Sequence, residues 1–525
     1  MKQVIITNAG LRTIAKWEIA LYFSVYISYL IYGISELIAL RFKILDIAKY
    51  KFDQGWPLLN SYRDDSNDDL EYFTLFIRKS WHWYVVHIAI SVALQNGVLR
   101  RPGLAFAAMS ATFLLFTFHR ISIACICFML LSYYALSKKP SKTAVWVLSG
   151  IWVLLLNSIK RSVSIYNTVG YEEFFKLFVI LSWTMLRCCS FVFNRINNAP
   201  ERNTNVSPIK NNANDSKSFD RTYSLEHFLG YTLYFPTLIY GPFMEFQRYI
   251  VVQDMARRAE SCFSLLWFLC KGLLRLFFWW SLMQFILHFL YIHYMERDIN
   301  AVSLIVNPFC QYAIVYCMGQ SFFMFYLITY GLAITIARFD GLNPPNPPRC
   351  VSCIYSYSKV WKFFDEGLYE FLFQHIYAEL CKKNSPPMTK ILASLVTFAF
   401  TFVWHGCYMD VLIWTLINLA CLIAEKILYN IASSKKYNEL ITVNIGYRNS
   451  QRLRYLIATQ IFIPASYSHL YFFSGSSTGN LLMRGAYCSG ITNYLVLTFC
   501  CYSFIQSSEI IYNYITFDKT SKKVC

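Results

Sequence analysis

The sequence predicts an all-α polytopic membrane protein of about ten transmembrane helices with re-entrant segments between them, and three observations carry that prediction. The chain has 525 residues, 56% hydrophobic, 18% aromatic and only 15% charged, a composition too apolar for a water-soluble protein of this size. Apolar runs long enough to cross about 30 Å of hydrocarbon recur from one end to the other. The 48 lysines and arginines outnumber 30 acids, for a formal charge of +18, yet they sit between the apolar runs instead of forming one patch. That spacing fits membrane topology and argues against a nucleic-acid partner.

The runs follow in order. Residues 17–37 are too long for a signal peptide and lack a small-residue cleavage site, so they read as an uncleaved anchor. Further runs cover 83–98, 104–118, 121–136, 144–156 and 174–193. A polar stretch at 194–224, rich in Asn, Ser and Pro, then reads as a solvated divider. Its sequons at Asn205 and Asn214 become glycosylated only if it faces the lumen. Runs at 263–294, 301–337, 391–404, 411–428, 456–473 and 494–514 complete the set, two of them long enough to bend or pair. Arg41, Lys43, Lys49 and Lys51, then Lys138, Lys139 and Lys142, then Lys519, Lys522 and Lys523 mark candidate cytosolic sides. Seventeen cysteines, many inside apolar runs, do not suggest a disulfide framework. The single CVSC, Cys350 to Cys353, has metal-ligand spacing but no second pair, and reads as loop chemistry.

Three segments break the helical pattern. LGYTLYFPTLIYGPFMEFQRY, 229–249, is apolar but interrupted by Pro236, Gly241 and Pro242, as expected of backbone lining a cavity. IARFDGLNPPNPPRC, 336–350, ends an apolar run with Arg338, Asp340 and four prolines, which no helix continues through. SKVWKFFDEGLYEFLFQHIYAEL, 358–380, places Trp361, Phe364, Leu368, Phe371, Leu372 and Ile376 on one helical face, with Lys362, Asp365 and Glu366 off it. This reads as an interface-lying amphipathic helix, and its His375 as solvated or headgroup-bonded. TFVWHGCYMD, 401–410, closes another apolar run with His405 between Trp404 and Gly406. His405 is either a core histidine or a catalytic base.

In this order, YFPTLIYGP, RFDGLNPPNPPRCVS, FFDEGL and FVWHG resemble the membrane-bound O-acyltransferase superfamily, and within it the Hedgehog acyltransferase branch, over roughly 223–428. The resemblance implies that family's fold and divides the chain into N-terminal transmembrane helices (1–193), the polar loop (194–224), a catalytic core (225–430), and C-terminal helices with a cytosolic tail (431–525). It implies His405 and Asp340 as the catalytic pair. The implied reaction moves palmitate from palmitoyl-coenzyme A to the N-terminal cysteine amine of a secreted Hedgehog-type signalling protein. A lipid O-acyltransferase, a transporter and a non-catalytic scaffold are the alternatives. No cofactor beyond the acyl donor is required for the chemistry. Some relatives hold a haem through a cysteine near the acidic residue; the nearest upstream cysteine is Cys317, which leaves the ligand unassigned.

Thioester acyl transfer needs a nucleophile, a base for its proton and an offset for charge on the tetrahedral oxygen. His405 can supply the base, with Trp404 walling the pocket. Arg338, Arg349, Lys359 and Lys362 are candidates for the coenzyme A phosphates, or topology markers only. Membrane lipid is the surrounding partner. The C-terminal KKVC places lysines three and four residues from the end, which predicts a multi-pass protein of the endoplasmic reticulum, with the Golgi as the alternative.

Overall fold

The computed structural model describes residues 15–199, 221–250, 262–305, 307–382 and 384–521. Asn205, Asn214, Lys522 and Lys523 lie outside them. Long helices dominate: Lys16–Ala48 (α1), Asp68–Gln95 (α2), Pro102–Thr117 (α3), Arg120–Lys138 (α4), Lys142–Lys160 (α5) and Tyr171–Asn197 (α6) in the first part. The second part holds Cys262–Ile286 (α7), Pro308–Phe339 (α8), the short Tyr357–Phe364 (α9) and Glu366–Leu372 (α10), then Pro387–His405 (α11), Met409–Ala432 (α12), Val443–Cys488 (α13) and Ile491–Ser521 (α14). Among the described residues nine helices are long and apolar enough to cross a membrane, close to the number expected. The runs at 83–98 and 456–473 fall inside α2 and α13, which are not among the nine. The single small sheet pairs Asp53–Gln54 with Tyr62–Arg63.

The broken segment after residue 232 behaves as buried irregular backbone must. Its freed carbonyls and amides find partners on α6. Arg187, 1% exposed, donates from Nη1 to the Thr232 carbonyl at 3.1 Å and from Nη2 to the Thr237 carbonyl. Ser190 Oγ accepts from the Phe246 amide at 2.9 Å and donates to Glu245, whose other oxygen meets His375 Nε2 at 3.1 Å. His375 is therefore a buried partner of this segment, stacked on Phe193 at 4.7 Å, and the expectation of a solvated or headgroup-bonded residue is corrected.

Following the chain across successive helices assigns each connection to one of two faces. One face gathers 139–141, 340–386 and 433–450. There Lys142 meets Glu379 at 2.8 Å, Glu425 accepts the Tyr357 amide at 2.7 Å, and Arg452 meets Glu18 at 2.7 Å. The opposite face gathers 49–67, 161–170, 287–307 and 406–408. There His288 Nε2 accepts the Trp56 amide at 2.8 Å, and Arg161 lies 5.8 Å from the Tyr408 ring. Lys138, Lys139 and Lys142 thus share the first face with Lys382, Lys435 and Lys436. Arg41, Lys43, Lys49 and Lys51 belong at the opposite end of α1, where Lys51 approaches Asp298 at 3.7 Å. The first basic group therefore cannot mark the same side as the second, because a single 33-residue helix separates Glu18 from Ala48.

Candidate active site

His405 is the last residue of α11 because Gly406 stops the helix. Gly406 has φ 118°, in the left-handed region, and its N–H reaches the Val403 carbonyl at 3.3 Å while that of Cys407 reaches Phe402 at 3.4 Å. A Cβ at 406 would lie 2.8 Å from the Tyr408 ring. The Trp-His-Gly run is thus a helix terminus that leaves an imidazole at its tip. The ring stands edge-on to Trp414 at 5.6 Å and to Phe472 at 5.1 Å. Among the described residues neither ring nitrogen has a hydrogen-bond partner. His405 is half-buried.

The same aromatic shell leads to a carboxylate that the sequence reading left off the apolar face, Asp365. Trp414 lies 5.6 Å from Trp361 on α9, one turn before Asp365. On the other side Phe472 neighbours Phe473, which lies 4.4 Å from Phe322 on α8; Phe322 stacks flat at 5.1 Å on Phe364, the residue before Asp365. Asp365 caps α10 through Oδ1, accepting the Leu368 amide at 2.9 Å, while Oδ2 accepts the Tyr330 hydroxyl at 2.9 Å. Burial pushes its carboxyl up; the Leu368 amide and the Tyr330 hydroxyl pull the other way. Gly367 fixes this corner, since any Cβ there would collide with the Phe243 carbonyl of the broken segment. A recognisable signal was present in FFDEGL: an aspartate in N-cap position before a glycine, inside an otherwise apolar stretch.

Asp340 is placed differently. It is fully buried at the end of α8, with Oδ2 at 2.7 Å from His87 Nε2 on α2 and accepting the Tyr234 hydroxyl. His87 is equally buried and stacks on Phe106 at 4.7 Å. No hydrogen bond, ion pair or ring contact among the described residues joins Asp340 directly to His405. Asp340 ties α2, α8 and the broken segment together. Trp404 also turns away from His405, as neighbouring residues on a helix must, and packs on Phe400 at 6.1 Å and Trp183 at 6.5 Å.

The four expected cations do not form one cluster. Arg349 and Lys362 flank Phe363, at 3.8 and 5.4 Å from its ring. Lys359 sits 4.1 Å from the Tyr512 ring, and Arg338 donates to Asn346 at 3.4 Å. Cys317 is buried in α8 within an apolar cluster. At the CVSC turn the Cys353 thiol, helped by Ser352, holds Cys350 down to about 6, while Cys353 is pushed up in turn. Among the described residues no three His, Cys, Asp or Glu side chains gather as a metal site.

The comparisons with known proteins follow the same line. The MBOAT, membrane-bound O-acyltransferase family pattern matches residues 128–468. The protein-cysteine N-palmitoyltransferase Rasp of Drosophila melanogaster is 41% identical over 502 residues, 95% of this chain and 96% of its own length. The protein-cysteine N-palmitoyltransferase HHAT of Mus musculus is 27% identical over 54% of this chain and 57% of its own. The membrane-bound O-acyltransferase GUP1 of Candida tropicalis is 22% identical over 69% of this chain and 65% of its own. The chain belongs to the membrane-bound O-acyltransferase family.

Proposed function

We propose that this enzyme transfers palmitate from palmitoyl-coenzyme A to the N-terminal cysteine amine of a secreted Hedgehog-type protein. The observation that carries the reading is His405, an imidazole with no hydrogen-bond partner among the described residues, held at a helix tip between the rings of Trp414 and Phe472. The names of the relatives, one of them aligned over nearly its full length, support the same acyl donor class and a protein acceptor.

The chemistry follows from His405 and Asp365. The neutral amine attacks the thioester carbon, an N–C bond forms, and the C–S bond breaks as the tetrahedral adduct collapses. His405 takes the amine proton and returns it to the departing thiolate. Asp365 holds the acceptor ammonium before attack, takes the proton that leaves the amine neutral and releases it to solvent at the end of the cycle, while His405 handles the second proton. An α-amine has an ordinary pKa of about 7.7 to 8.0, so a modest base is enough, whereas a hydroxyl needs stronger activation. The acyl chain, worth about 12 kcal/mol of burial at ~0.8 kcal/mol per methylene, belongs in the bilayer-facing shell. The phosphates belong on the basic face near Arg349 and Lys362, with Arg338 and Lys359 further along it. The acceptor belongs on the opposite face. Residence in the endoplasmic reticulum rests on Lys522 and Lys523; substitution of both by serine should let the protein leak to the Golgi.

The test offers the purified chain palmitoyl-coenzyme A with a peptide beginning in cysteine, the same peptide Nα-acetylated, and a lipid alcohol. Acylation should require the free amine and survive hydroxylamine, as an amide does. Modification of the acetylated peptide or the alcohol instead would move the enzyme to another acceptor class.

A further inference from the structure

The connection between α12 and α13 carries an amphipathic surface that the acyl-transfer chemistry does not use. The helix beginning at Lys435 runs to Ile445, where Gly446 breaks it at φ 79° with open space around its Cα. Leu440 and Val443 follow at three-residue spacing and are 57% and 70% exposed, and Tyr447, just past the break, is 51% exposed. Lys435, Lys436 and Arg448 are exposed beside them, against one exposed acid, Glu439. Among the described residues none of these three cations is paired with an acid, whereas the neighbouring Arg452 is held by Glu18 at 2.7 Å. The segment follows directly on Ala432, where a membrane-crossing helix ends, so it lies at the level of the bilayer surface.

From this we infer that residues 435–448 form a docking surface for anionic phospholipid headgroups, with the apolar stripe seated at the headgroup boundary and the three cations on the phosphates. The chemistry favours this occupant. The stripe is too narrow and too strongly flanked by lysine and arginine for a protein interface core, which is depleted of lysine. The same face carries Lys138, Lys139, Lys142 and Lys382, as the cytosolic side should, and that leaflet holds the acidic lipids.

The experiment reconstitutes the full chain in phosphatidylcholine vesicles with or without phosphatidylserine and follows amide hydrogen exchange of 435–448. With phosphatidylserine the segment should exchange more slowly, by roughly fivefold for each engaged cation at low salt. The difference should collapse in a Lys435→Gln, Lys436→Gln, Arg448→Gln variant, persist in a Lys139→Gln control, and vanish for wild type at about 1 M salt. Free glycerophosphoserine should not reproduce it. Equal exchange in both vesicle types, or a difference that survives the triple substitution or is matched by glycerophosphoserine, would overturn the proposal. The salt arm keeps the inference testable if the triple variant fails to fold.

Discussion

Asp340 and Asp365 are two carboxylates within 25 positions of each other, and their surroundings differ. Asp340 is sealed between His87 and Tyr234, with no exposed surface. Asp365 keeps some exposed surface, with Oδ1 on the Leu368 amide and Oδ2 on the Tyr330 hydroxyl. Asp340 is bound through Oδ2 alone, and its buried Oδ1 has no hydrogen-bond partner among the described residues, whereas both oxygens of Asp365 are engaged. The difference lies in access and in which oxygens are engaged, not in charge.

The widest split between the two regions should come from His405→Ala. We expect transfer to fall by roughly 10²- to 10⁴-fold, the range of a lost general base, with thermal unfolding nearly unchanged because the ring makes only edge contacts. Near-normal turnover would return His405 to a structural role. His87→Ala should do the reverse. It strands Asp340 in the core, at a cost of about 3 to 5 kcal/mol, seen as lost folded protein and a lower unfolding midpoint. An unchanged midpoint would mean that the two groups do not support each other.

Gly406→Ala lies between these extremes. Its left-handed φ and the nearby Tyr408 ring should cost about 1 to 2 kcal/mol in stability, and turnover should fall further than stability does, since the helix tip that aims His405 must shift. Equal losses in both readouts would argue against any role for the tip in aiming the ring. The smallest effect is on pH dependence. Burial raises the Asp365 carboxyl, so its charged form appears only above the usual carboxylate range, and kcat should fall as pH drops through that raised value. For stability the sign is opposite: a raised carboxyl favours folding when protonated, and that contribution is lost as pH rises through the folded value. Asp365→Asn should remove the acidic limb of the rate profile, and a limb that stays would assign it to another group.

The sequence made much of this legible. Run lengths place most of the helices, and Pro236 with Pro242 marks the broken segment, because both depend on local chemistry. The Trp-His-Gly run marks the helix tip for the same reason. The choice between Asp340 and Asp365 was not legible, since it depends on which side chains arrive from α2 and α8. Asp340 ends an apolar run beside four prolines, and nothing local shows that His87, more than 250 positions earlier, seals it. Asp365 looked solvated on an amphipathic helix, yet α8 and α13 close over it through Phe322 and Phe473. The grouping of Arg41 with Lys138 failed likewise, because charge count alone does not show which end of a helix meets which face.

The most direct test of the account compares Asp365→Asn with Asp340→Asn, measuring turnover per folded molecule after each preparation is quantified by its unfolding transition. The account predicts that Asp365→Asn is recovered folded in ordinary yield but turns over at least about tenfold more slowly, whereas Asp340→Asn is poorly recovered and its folded fraction turns over normally. A folded Asp340→Asn enzyme without activity, beside an active Asp365→Asn, would contradict it and restore Asp340 as the partner of His405.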